Sequence, residues 1–198
     1  MGSTKPDRTA VPDAEVVQLV LAGEIDAFDE LVRRTRRPAY RLARRITRNH
    51  EDADDVVQDS YVKAYRALPR FDLTRAFGPW FLTIVARTAL SRIRQGARRA
   101  TVPLDEPGAE GTTLAERLPD ATLDPAGQQS LLDVERALER LSEEHRSILA
   151  LRVEGDLAYA EIASALEVPV GTVMSRLARA REALLKEVEK LRASRFQR

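Results

Sequence analysis

The chain has no cysteine, which excludes a disulfide framework, a thiol nucleophile and a cysteine-ligated zinc. Histidine is nearly absent as well. His50 and His145 fall in different halves, so neither a metal cluster nor an acid–base pair assembles from them. The carboxylates have no Gly-rich phosphate loop beside them. The expectation is no catalytic residue, no metal and no cofactor: not an enzyme. No apolar run approaches the roughly 18 residues of a membrane span, and the N-terminus has no signal-peptide core. A cytoplasmic protein without membrane insertion is expected. Lysine is scarce too. Of 32 Lys+Arg only Lys5, Lys63, Lys186 and Lys190 are lysines, leaving 28 arginines, whose forks suit phosphate and carboxylate.

What is present is charge, unevenly spread. Charged residues make up 32% of the 198, yet the net charge is +1. Residues 1–12 are polar and rich in breakers, and read as a disordered tail. Asp13 is expected to cap a helix over 14–22, which Gly23 ends. A longer helical pattern runs over 25–48, with Pro38 as a kink or junction. Between Arg33 and Arg48 it carries eight arginines and no acid, charges that repel one another unless an anion is near. An acidic helix follows over 51–68. Ala53, Val57, Tyr61, Ala64 and Leu68 share one face, and Asp52, Asp55 and Asp59 the other. An acidic face between basic neighbours suggests a docking surface for a protein.

Residues 69–79 form a loop with Phe71, Arg75 and Phe77, and a helix carrying Trp80 and Arg87 resumes at 80. Aromatics beside arginine suit the grip of unstacked bases, although aromatics taken alone more often belong to a core. Residues 98–127, with four prolines and three glycines, read as a flexible linker that leaves the placement of its two flanks open. Beyond it, helices over 128–141, 143–153, 158–166 and 169–191, with a tight turn at 167–168, spell a helix-turn-helix. With Val170, Val173, Leu177, Ala180 and Leu184 inward, Ser175 and Arg179 lie opposite the core. Thr172 is beside them, and Met174 and Arg176 flank them. Residues 171–198 hold eight basic residues against three acids, a balance that favours DNA. The fold expected is all-α: two small helical domains, 13–97 and 128–198, the second a helix-turn-helix domain.

Two stretches resemble a known family. Asp54-Asp55-Val56-Val57-Gln58-Asp59, with Tyr61-Val62-Lys63-Ala64-Tyr65-Arg66-Ala67-Leu68 and Phe77 to Trp80, looks like the second conserved region of bacterial sigma factors. Leu141-Ser142-Glu143-Glu144, Tyr159-Ala160-Glu161-Ile162-Ala163 and Val168-Pro169-Val170-Gly171-Thr172-Val173 look like the fourth. Their order, with only a linker between them, resembles the extracytoplasmic-function class over residues 13–190. The resemblance implies that Asp55, Gln58 and Asp59 dock on the coiled coil of the largest subunit of core RNA polymerase. It implies that Phe71, Arg75, Phe77, Trp80 and Arg87 grip the melted minus-ten strand. Thr172, Met174, Ser175, Arg176 and Arg179 would read the minus-thirty-five element, Arg176 through phosphate. An anti-sigma factor is the expected inhibitor, in a stress or envelope response. Arg87 stands where most members have Asn, and Met174 where most have Lys or Arg, which bears on the promoter sequence. The alternative is a stand-alone helix-turn-helix transcriptional regulator, which has no use for the acidic face.

Overall fold

A computed structural model describes residues 8–99 and 125–196. Most of the expected tail and linker, residues 1–7 and 100–124, lies outside the described residues. Among the described residues eight α-helices follow one another: α1 Asp13–Leu21, α2 Phe28–Thr47, α3 His50–Ala67, α4 Phe77–Arg99, α5 Pro125–Arg140, α6 Glu143–Val153, α7 Tyr159–Leu166 and α8 Val170–Phe196. The edges of the expected linker are therefore helical, at 98–99 and 125–127. Pro125 opens α5, where its missing N–H is no loss.

Local chemistry explains most of the boundaries. Pro12, not Asp13, is the N-cap of α1, and no side chain caps that helix. Asp13 accepts instead from Arg34 Nη1 at 2.6 Å, tying α1 to α2. Gly23 turns out of α1 at φ 103°, a left-handed conformation that glycine adopts without strain. Pro38 lies inside α2 without ending it. Asn49 caps α3, its side chain accepting from the Asp52 amide at 3.0 Å, and Ser142 caps α6 in the same way through His145. α4 begins at Phe77, three residues before the expected start, because the Phe77 side chain is itself core and fully buried. α8 keeps Val173, Leu177 and Ala180 inward as expected, but Val170 is 43% exposed and outside the stripe.

Of the seven arginines of α2, Arg33, Arg34, Arg41 and Arg45 face acids. Arg34 holds Glu30 and Asp13, and Arg33 also pairs with Glu30. The Arg33 guanidinium, joined by that of Arg34, pulls the Glu30 carboxyl down to about 2. Arg41 and Arg45 lie 3.8 and 3.6 Å from Glu154, at the C-terminus of α6. The anion that the sequence demanded comes partly from the distant half of the same chain.

The two halves pack together. α2, α3 and α4 form the first bundle, and α8 packs on α5, α6 and α7 in the second. α7 also rests on α4, and α6 on α2. Buried apolar residues form one continuous cluster from Val16 to Ala180. The placement that a flexible linker would leave open is therefore set by side-chain packing.

Candidate nucleic-acid interface and docking face

α3 presents its acids outward because Ala53, Val56, Val57 and Ala64 bury the opposite face. Asp55, Gln58 and Asp59 are exposed, as their spacing predicts. Asp55 is not free, however. Arg92 of α4 donates to Asp55 Oδ2 at 2.6 Å and to Asp52 Oδ1 at 2.8 Å, and those two bonds raise the pKa of Arg92. Gln58 and Asp59 carry no such tie among the described residues. Val62, 50% exposed, lies seven residues after Asp55 and three after Asp59, on the same face. It adds an apolar centre to an acidic surface, and a hydrophobe at that spacing on the polar side was the signal for it.

The loop after α3 is held by its own polar groups. Asp72 Oδ1 accepts from the Thr74 amide at 3.0 Å and from the Thr74 hydroxyl at 2.7 Å. Those bonds lower the pKa of Asp72, the hydroxyl contributing most. Phe71 and Phe77, expected to touch unstacked bases, are 8% and 0% exposed and belong to the core. Their rings meet at 5.9 Å and each packs on Trp80, at 4.8 and 5.4 Å. A ring buried on both faces has no face left for a base, so these two frame the loop. Trp80 remains half-buried, with part of its ring open.

Arg75 and Arg87 are exposed and reach the same place. Arg75 Nη2 is 3.5 Å from Glu161 Oε1, and Arg87 Nη2 donates to the Ser164 carbonyl at 2.6 Å and its hydroxyl at 3.0 Å. Glu161 and Ser164 both belong to α7, the first helix of the helix-turn-helix. Neither acceptor was legible beforehand, since nothing in a sequence pairs residues 77 positions apart.

The helix-turn-helix is built as its pattern predicts. Glu161 Oε2 accepts from the Ala158 amide at 2.9 Å and opens α7. Glu167, at φ 57°, makes the tight turn into α8. On α8, Met174 is 55% exposed, Ser175 and Arg179 are exposed, and Thr172 is half-buried. Ser175 Oγ donates to the Thr172 carbonyl at 3.0 Å. Arg176, expected on phosphate, pairs with Glu144 of α6 at 2.8 Å. Arg179 has no ion pair among the described residues. Among them, too, no group of three or more His, Cys, Asp or Glu could hold a metal, and no helix is long and apolar enough to cross a membrane.

Comparison with known proteins follows the same division. The Sigma-70 region 2 family matches residues 31–99, and the Sigma-70, region 4 family matches residues 131–184. The chain is 37% identical over 175 residues to the ECF RNA polymerase sigma factor SigM of Mycobacterium tuberculosis, covering 87% of this chain and 82% of that protein. It is 36% identical over 184 residues to the ECF RNA polymerase sigma-E factor of Escherichia coli K12, covering 90% and 95%. Among solved structures it resembles CnrH in complex with the cytosolic domain of CnrY. There the TM-score is 0.61 and the identity 26%, over 90% of this chain and 97% of that one.

Proposed function

Since the chain belongs to the extracytoplasmic-function sigma factors of bacterial RNA polymerase, we propose that its two halves split promoter recognition as follows. The protein binds core RNA polymerase, directs it to specific promoters and helps open the minus-ten DNA, within a stress response. Asp55, Gln58 and Asp59, with Val62 between them and the rim, dock on the largest subunit. Trp80, Arg75 and Arg87 hold the melted strand, by stacking and by charge, over a loop framed by Phe71 and Phe77. Met174, Ser175 and Arg179 meet base edges in the major groove, while Thr172 and Arg176 meet the backbone. The polymerase supplies the chemistry; this chain supplies position. It works in the cytoplasm, and an anti-sigma factor holds it inactive, as the pairing of CnrH with CnrY suggests.

The observation that carries this reading is an exposed acidic helix in the same chain as a helix-turn-helix with an open recognition face. A stand-alone regulator would need only the second. The test reverses both acids, Asp55→Lys and Asp59→Lys, in one variant. Helical content should stay, because neither side chain is in the core, and co-purification with core polymerase should be lost. A variant that still forms holoenzyme at wild-type affinity refutes the docking assignment.

A further inference from the structure

The arginine run of α2 is not used up by promoter recognition. Arg34, Arg41 and Arg45 face acids and are half-buried. Arg36 and Arg37, by contrast, are exposed and have no ion pair among the described residues. Arg33 shares Glu30 with Arg34. Positions 33, 36, 37 and 40 follow the three- and four-residue spacing that places side chains on one helical face. Three guanidiniums at that spacing repel one another, and an anion held between them relieves the repulsion.

This face is one wall of a groove. The groove has a volume of about 530 Å³ and runs between α2 and α3, with His50, Asp54 and Val57 on the α3 side. The two walls are joined by a hydrogen bond of 2.5 Å between the Tyr40 hydroxyl and His50 Nδ1, whose rings meet edge to face at 5.7 Å. Asp54 is the one acid of the lining, and its Oδ2 lies 3.7 Å from the same Nδ1. It forms no ion pair with the arginines of the opposite wall among the described residues. The lining therefore carries three guanidiniums against a single carboxylate that sits beside the imidazole.

Guanidinium forks match the oxygens of phosphate. Three forks that take two oxygens each need more oxygens than a single phosphate has, and adjoining phosphates supply them. The volume is that of a small-molecule site, which spans about 300–1,000 Å³. Neither α4 nor α8, the helices assigned above to DNA, lines the groove. We propose that the groove between α2 and α3 is a binding site for a small polyphosphate anion, either free or as the phosphate tail of a nucleotide. Arg36 and Arg37 hold the phosphates. Arg33 stands at one end of the site and the Tyr40–His50 pair at the other. The charge that α2 carries beyond its acids then has a ligand of its own, separate from polymerase and promoter.

The test removes the two unpaired arginines together, Arg36→Gln with Arg37→Gln. Both positions are exposed and Gln is a good helix former, so α2 keeps its fold. Arg181→Gln with Arg192→Gln removes the same charge from exposed positions of α8 and is the control. Calorimetric titration of the full chain with inorganic triphosphate, in the absence of divalent metal, reads the site. The wild type and the control should bind one triphosphate per chain. The groove variant should bind it at least about tenfold more weakly, the loss expected when charge-assisted hydrogen bonds are removed. Adenosine triphosphate titrated in parallel distinguishes the sources. Tighter binding than inorganic triphosphate identifies a nucleotide, and equal binding identifies a free polyphosphate. No saturable binding up to about 1 mM triphosphate, or equal affinity in the groove and control variants, overturns the site. The groove variant should also match the control in affinity for core polymerase and for random-sequence duplex. If it loses either of these while triphosphate binding is unchanged, the groove serves a macromolecule and the small-anion site is wrong.

Discussion

Arg176 and Arg179 lie three positions apart on α8, and their surroundings separate their roles. Arg176 is tied to Glu144 on α6, an ion pair at a half-exposed site, whose worth to stability is about 0–1 kcal/mol. Arg179 projects from the face opposite Val173 and Leu177 with no ion pair among the described residues. A guanidinium that is free to fork can take two acceptors on one base edge. In holoenzyme, Arg179→Ala should therefore cost about 1–3 kcal/mol at one or two adjacent base pairs of the upstream element. Arg176→Ala should weaken binding evenly across sequences, with little change in melting temperature. Affinities for a panel of single-base-substituted duplexes decide it: if both changes alter base preference, or neither does, the face has been assigned wrongly.

Single helices show where pattern suffices and where it does not. The 3.6-residue periodicity of α3 is enough to put Asp55, Gln58 and Asp59 outside, because Ala53, Val57 and Ala64 must be inside. The turn between α6 and α7 is set by close approach instead. A Cβ on Gly155 would lie 2.8 Å from the Leu151 carbonyl oxygen and 3.1 Å from Leu157 Cγ, and Leu157 is fully buried. One of the two would have to move, and the first is backbone. Gly155→Ala should destabilise the chain by about 1–3 kcal/mol through overpacking. Denaturant unfolding of the variant beside the wild type measures it; equal midpoints and slopes would show that the turn has slack. The same turn orients Glu154, so the variant should also loosen the seam with α2.

Across the whole molecule, the buried Glu154 is the charge where the two halves meet. It lies near Arg41 and Arg45, with the buried Arg146 in the same neighbourhood. Burial lowers the pKa of Arg146, and the charges of Arg48 and Arg45 lower it further. Glu154→Gln keeps the shape and removes the negative charge, so the arginines of α2 are left to repel Arg146. A fully buried pair broken this way costs about 3–5 kcal/mol, and the partial exposure of Arg41 and Arg45 reduces that to about 1–3 kcal/mol. The variant should melt at a lower temperature and scatter as a more extended particle. Holoenzyme formation should be unaffected, since Asp55, Gln58 and Asp59 lie on another surface. A Glu154→Gln chain as compact as the wild type would move the weight of the seam to Arg87 and Arg75.

The sequence by itself determined the helices, the helix-turn-helix, the division into two halves and the outward face of α3 and α8. Each of these follows from periodicity, caps and turn residues acting within about twenty positions, the range over which local rules operate. It also carried the family, through two motifs in order. Tertiary structure decided what depends on packing between distant segments. It put Phe71 and Phe77 in the core, where the same aromatic composition had also suited open base platforms. It gave Asp55 to Arg92 and Arg176 to Glu144, and it answered the charge of α2 with Glu154 from the other half. Above all it set α7 against α4, so that Arg87 meets Ser164 across 77 positions of chain. A guanidinium donates to any properly aimed oxygen, so residue type names the need for an acceptor, and only the fold chooses which one.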